Sequence, residues 1–288
     1  MTGAPRSVWS LGAELGEGPI WHDEALWFVD IKRQQIYRYE PGSGLRRSWP
    51  APEQIGFIFP RQPGGFIAGL QSGLFAFDPT DGSFSPVAEV ERDRPGNRLN
   101  DGVVDPAGRL WFGSMDNAQR DNCGAFYCYD DGKVSPVGVG EICITNGPAI
   151  SPDGSTIYLV DTLARSIFVA SIEEHGSLGK PRLFKTIESG AGYPDGPTID
   201  SEGHLWIGLY DGWEARRYSP SGDLVDRVRF PVANITKIAF GGPDLRTAYA
   251  TTARQMLSPE AIASQPQIGD LFEFEVDVPG LPCHLIAG

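Results

Sequence analysis

The chain has 288 residues, of which 36 are Gly, 24 are Pro and 31 are Phe, Tyr or Trp. Gly and Pro together stay below the roughly 25–30% that marks low complexity, so their excess over average usage is turn material. The net charge of −13 argues against nucleic acid and anionic membranes as partners, since both select basic surfaces.

Read from its N-terminus, the segment MTGAPRSVWSLGAELGEGP has no apolar stretch of signal-peptide length. No later run approaches the roughly 18 apolar residues of a membrane-spanning helix. With no secretion signal, Cys123, Cys128, Cys143 and Cys283 read as free thiols in a reducing cytoplasm. The four histidines, His22, His175, His204 and His284, are scattered, which argues against a His-rich zinc site.

One pattern then recurs along the chain: a small turn followed by an apolar-aromatic strand. The copies are HDEALWFVD around Trp27, QPGGFIAGL around Ile67, DPAGRLWFGSM around Trp111, SPDGSTIYLVD around Tyr158, DSEGHLWIGLY around Trp206 and GPDLRTAYATT around Tyr249. They lie 40, 44, 47, 48 and 43 residues apart. Each is followed by an alternating strand: QQIYRYEP, SGLFAFDP, GAFYCYDD, RSIFVASI, ARRYSPSG and DLFEFEVD. Alternation at period two means half-buried β-structure. Short strands on a period near 45 residues fit propeller blades, whereas a two-sheet sandwich has no such repeat. The expected fold is all-β: a six-bladed β-propeller with four-stranded antiparallel blades around a central channel, residues 1–288 forming a single domain. A first strand near Val8 to Ala13 is expected to join the last blade and close the ring, which removes exposed edges. The one helical candidate is short, near Ser258 to Ala263.

In a propeller the innermost strands line the channel, and functional residues sit where those strands begin. Counting back about one turn and strand from each aromatic marker gives Glu17, Phe57, Asn100, Asn146, Asp195, and Thr236 or Lys237. Asp101-Gly102, Asn146-Gly147 and Asp195-Gly196 are each ordinary turn dipeptides when taken singly. Turns, however, should fall anywhere in a blade, and these share one register in separate blades. Converging carboxylates repel unless a cation sits between them. Oxygen ligands without His or Cys favour a hard divalent ion such as Ca²⁺, Mg²⁺, Mn²⁺ or Fe²⁺.

The motifs LGEGPIW, WFVDI, NRLNDGVVDPAGRLWFGSM, TNGPAISPDG, YLVDT, YPDGPTIDSEGHLWIGL and FGGPDLRTAYATTA follow one another as in the regucalcin–gluconolactonase (senescence marker protein) family, which the sequence resembles over nearly its whole length. Within the family it is most similar to bacterial sugar lactonases of the xylonolactonase type. The resemblance implies one divalent cation, Ca²⁺ first with Mg²⁺, Mn²⁺, Zn²⁺ and Fe²⁺ behind it, bound by Glu17, Asn146 and Asp195. It also implies substrate contacts from Arg98, Asn100 and Asp101. Some relatives carry a Glu in the loop after the third aromatic strand. Here that loop reads MDNAQRDNCGAF and has no Glu to align there, with Arg120 or Asn122 expected nearby.

The implied reaction is hydrolysis of a sugar lactone by a cytoplasmic enzyme acting as a monomer or weak oligomer, with no nucleic-acid or membrane partner. Asp195 is the candidate catalytic base. The alternative is attack by a metal-activated water that Asp195 orients. Tyr193, Trp213 and Phe57 are candidates for the channel mouth, and Tyr193 is taken as a substrate contact. Trp27, Trp111 and Trp206 are assigned to the core. Two rival functions share the site: a divalent-cation-binding propeller without catalysis, and a metal-dependent esterase or phosphotriesterase.

Overall fold

The protein is described by a computed structural model covering residues 2–173 and 176–287. His175 therefore lies outside the described residues. They form twenty-four strands and one short helix. The chain opens with β1 (Arg6–Trp9). Four-stranded antiparallel units follow: β2 (Gly16–His22), β3 (Ala25–Asp30), β4 (Gln35–Glu40) and β5 (Leu45–Pro50), then β6 (Ile55–Pro60), β7 (Phe66–Leu70), β8 (Gly73–Asp78) and β9 (Ser83–Glu89). The third is β10 (Asn97–Val104), β11 (Leu110–Asp116), β12 (Phe126–Asp130) and β13 (Lys133–Pro136), and the fourth β14 (Thr145–Ile150), β15 (Thr156–Asp161), β16 (Ser166–Ser171) and β17 (Arg182–Thr186).

The remaining strands make one eight-stranded sheet from two such halves. One half is β18 (Tyr193–Ile199), β19 (Leu205–Tyr210), β20 (Glu214–Tyr218) and β21 (Leu224–Arg229). The other is β22 (Ile235–Gly241), β23 (Thr247–Thr252), β24 (Leu271–Glu275) and the N-terminal β1. A single parallel bridge, Gly196 to Lys237, joins the halves. The first strands touch in cyclic order, β2 to β6, β10, β14, β18, β22 and back to β2. The closing strand β1 runs two residues ahead of the expected Val8 start and pairs with β24. The helix α1 (Pro259–Ser264) falls on the short candidate expected near Ser258 to Ala263, with the Ser258 side chain accepting from the Ala261 N–H.

Burial follows strand position. The second strands β3, β7 and β11 are buried throughout, while the outermost β5 is exposed at almost every position. A second strand is covered on both faces by neighbouring units and so reads as an apolar run, whereas an outer strand has one wet face. Trp111 and Trp206 pack fully inside. Their indole N–H groups donate to Asp105 and Asp200 at 2.9 and 3.0 Å. The same carboxylates accept the backbone N–H groups of the turn two and four residues on. The recurring D-x-x-G-x-L-W spacing is thus one device, in which a buried Asp fastens a turn to the tryptophan that follows it. Trp27 has Trp21 where that Asp would stand, and its buried Nε1 finds no hydrogen-bond partner among the described residues.

Candidate active site in the channel

Every first strand breaks register with its neighbour at one place. The irregularities fall between Glu17 and Ile20, Ile55 and Phe57, Leu99 and Gly102, Asn146 and Ala149, Pro194 and Pro197, and Ile235 and Lys237. A β-bulge kinks its strand and re-aims the side chains beside it. The register positions singled out in the sequence are these bulges, which explains both their glycines and their convergence. Gly147, at φ +75°, is one place where the turn demands glycine.

Glu17, Arg98, Asn100, Asn146, Tyr193 and Asp195 line one cavity of about 370 Å³, a size suited to a small-molecule ligand. All but Tyr193 are buried. Asn146 is oriented at both ends: its Oδ1 accepts from Asn100 Nδ2 at 3.1 Å and its Nδ2 donates to Thr162 Oγ1 at 2.9 Å. That leaves a lone pair of Oδ1 for the cavity. Glu17 Oε2 accepts the Gly18 N–H at 2.8 Å. Asp195 is 6% exposed, and no hydrogen bond to its carboxylate occurs among the described residues. Arg98 donates to Asn100 Oδ1 at 2.6 Å, the Leu99 carbonyl at 3.1 Å and Asn117 Oδ1 at 3.2 Å.

The electrostatics match this geometry. Burial, then the charge of Asp101, pushes Glu17 up to about 8 against the partial relief of Lys237 and Arg98. Burial, then Glu17 and Asp101, raises Asp195 well above the usual carboxylate range. Burial pulls Arg98 down to about 10 against the attraction of Glu17 and Asp195. Two carboxylates so crowded and so poorly hydrogen-bonded stay ionised together only if positive charge enters. With the amide oxygen of Asn146 beside them, the donor set fits a hard divalent cation.

The structure also places residues where sequence reasoning did not. Asp101 does not line the cavity. Its carboxylate accepts the Gly102 N–H at 2.7 Å, the Gly147 N–H at 2.9 Å and the ammonium of Lys237, so it is spoken for beneath the site. Phe57 is fully buried against Phe59 and Phe112 and forms core rather than mouth. Trp213 is 45% exposed and outside the cavity lining. Tyr193 lines the cavity with the Arg165 guanidinium 4.1 Å from its ring centre. Arg120 and Asn122 are exposed, and Gln119 reaches the cavity instead. Asp116 explains this: it accepts the N–H groups of Ala118, Arg120 and Asp121, winding the loop so that Gln119 faces inward at φ +57°. Thr162 and Tyr210 also line the cavity. The YLVDT motif held Thr162, but nothing in its spacing marked the residue as a support for Asn146.

Residues 15–254 match the family described as the SMP-30/gluconolactonase/LRE-like region. The chain is 35% identical to 6-deoxy-6-sulfogluconolactonase of Pseudomonas putida, over 95% of each chain. It is 34% identical to L-arabinolactonase of Azospirillum brasilense, over 95% of this chain and 92% of that one. The solved structure of regucalcin from Agrobacterium tumefaciens, described as a calcium-binding protein, superposes with a TM-score of 0.95 at 30% identity, covering 99% of this chain and 97% of the other.

Proposed function

Since the chain belongs to the SMP-30/gluconolactonase/LRE-like family, we propose that it is an enzyme hydrolysing a sugar lactone, of the xylono- or gluconolactone kind, to the aldonic acid. We read the six four-stranded units as blades of a single six-bladed propeller over residues 1–288, and the location as cytoplasmic, as a monomer or weak oligomer. Four free cysteines, two of them buried, fit a reducing compartment. Among the described residues no helix is long and apolar enough to cross a membrane. Relatives named for two different lactones support the reaction class rather than one sugar.

The observation that carries the reading is the buried trio of Glu17, Asn146 and Asp195 with Arg98 alongside. The trio would hold one divalent cation, Ca²⁺ foremost. Such an ion supplies Lewis acidity toward the lactone carbonyl and toward water. Asp195, whose carboxylate accepts no hydrogen bond among the described residues, takes the proton from the attacking water. Water adds to the carbonyl carbon, and the ring C–O bond breaks. The departing ring oxygen leaves as a hydroxyl with a proton returned from Asp195, and the product is the open-chain acid. Arg98, held in plane by Asn100 and Asn117, meets the oxygen that gains negative charge. Tyr193 offers a ring face to the sugar.

Purified protein assayed on D-xylono- and D-gluconolactone should open both faster than the spontaneous background. It should lose that excess in chelator and regain it with added divalent ion. Activity unmoved by exhaustive chelation would overturn the metal-dependent reading, and absence of any lactone opening would overturn the reaction.

A further inference from the structure

The channel holds a third carboxylate and a second buried cation that the reaction does not use. Asp101 is 1% exposed and Lys237 6%. Lys237 stands at the sixth bulge, where the other first strands present Glu17, Asn146 and Asp195. Its side chain crosses the channel over Gly196, where even a methyl group would collide with its carbons at 2.7 Å. It ends on Asp101 Oδ1 and, at 3.3 Å, the Gly102 carbonyl. Together with Gly102, Pro148, Pro197 and the chain near Cys283, Lys237 lines a second cavity of about 120 Å³. It does not border the one lined by Glu17, Asn146 and Asp195, and Asp101 lines neither.

Charge explains what the pair does. Three buried carboxylates, Glu17, Asp101 and Asp195, share the channel with two buried cations, Arg98 and Lys237. A divalent ion offsets Glu17 and Asp195, Lys237 offsets Asp101, and Arg98 is left over for negative charge on the substrate. Without Lys237, Asp101 would keep the Gly102 and Gly147 N–H groups but would be a carboxylate without a counter-charge beneath the same ion. Building on the metal site proposed above, we propose that Lys237 is a built-in cation of the channel. It holds Asp101 out of the ligand set of Glu17, Asn146 and Asp195, and so keeps the site to one divalent ion. Lys237 is on this account a positioning residue, not a catalytic one.

The test is calorimetric titration of the cation-free, full-length protein with Ca²⁺, together with thermal melts with and without Ca²⁺. Lys237→Met should bind Ca²⁺ on the order of tenfold tighter, or take up a second ion, because an unpaired carboxylate deepens the negative field. Its melting temperature should fall without Ca²⁺ and recover largely with it. Asp101→Asn should do the reverse, weakening Ca²⁺ binding by a similar factor, since Lys237 then faces the ion uncompensated. Lys237→Arg should stay near wild type. If Lys237→Met lowers the melting temperature equally with and without Ca²⁺ and leaves affinity and stoichiometry unchanged, Lys237 is packing and the inference fails. Should Lys237→Met not fold, unchanged Ca²⁺ affinity in Asp101→Asn overturns the inference in its place. A wild-type protein that binds neither Ca²⁺, Mg²⁺ nor Mn²⁺ would instead remove the metal site on which the inference stands.

Discussion

At the scale of single residues, Asp195 and Arg98 carry the sharpest expectations. Asp195 lies on a bulge and not in a unit's packed interior, and no hydrogen bond within the described residues depends on its carboxylate. Asp195→Asn is nearly isosteric, so it should fold as the wild type does. It removes a charge from the trio and the group proposed as the base. Loss of a general base costs about 10²–10⁴ in rate. Arg98→Ala should behave differently, mainly raising KM or lowering kcat by less than Asp195→Asn does, because a bound divalent ion would still polarise the carbonyl. Steady-state kinetics at saturating divalent ion, corrected for spontaneous ring opening, separates the two. An Asp195→Asn enzyme keeping more than about a tenth of the wild-type kcat lies outside the range for a lost base and would strip Asp195 of that role.

At the scale of strands and loops, the Glu188–Arg216 clamp shows how a connecting loop is fastened. Arg216 on β20 is buried, its side chain 4% exposed, and it forks onto both oxygens of Glu188 at 2.9 and 2.8 Å from the loop before β18. Its Nε also donates to Glu214 at 2.6 Å. The Arg216 hydrogen bonds pull Glu188 from 4.5 down to about 2. A carboxylate so depressed contributes stability that is present above its unfolded value and fades as pH falls from about 4.5 to about 2. Glu188 is 59% exposed, and solvent screening holds such a pair to about 1 kcal/mol or less. Glu188→Gln should therefore unfold at slightly lower urea at pH 7, and the gap should shrink through pH 4 and pH 3. A gap as wide at pH 3 as at pH 7 would remove the ion pair as its cause. Elements of this kind divide into legible and illegible. The buried Asp105 and Asp200 could be read in advance, because one carboxylate serves its own turn and a tryptophan six residues on, and that locality leaves a repeat. Glu188 and Arg216 are 28 residues apart and carry no repeat. The channel positions were legible for the same reason as the turns: each bulge recurs about 10–12 residues before the aromatic marker of the next strand. The Lys237–Asp101 pair and the inward turn of Gln119 were not, since they depend on which side chains meet across the channel and on how one Asp winds one loop.

At the scale of the whole molecule, the question is what holds a ring of separate sheets shut. The first strands close the ring around the channel, but the outer seam between the end and the beginning of the chain depends on β1. Its backbone pairs with β24, so the N-terminal segment completes a sheet whose other strands come from the far end of the chain. Trp9 then reaches across to the next unit and meets Phe28 and Tyr37 edge-on, at 5.7 and 5.4 Å between ring centres. Val8 and Leu11 pack on the same cluster. Trp9, with Val8 and Leu11, thus packs the last sheet against the first beside the short stretch of chain that runs from β1 into β2. Trp9→Ala should cost about 2–3 kcal/mol, below the range for a fully buried tryptophan because Trp9 is half-buried. It should also lower the cooperativity of urea unfolding, because β24 is left as a loosened edge. Trp213→Ala is the matched control: the residue is 45% exposed, and truncation there should stay within about 0.5 kcal/mol. The seam lies outside the channel, so Ca²⁺ affinity in Trp9→Ala should remain that of the wild type. Equal losses in the two tryptophan variants would mean that the seam is not what β1 secures, and a fall in Ca²⁺ affinity would mean that closure and the channel site are one structural unit.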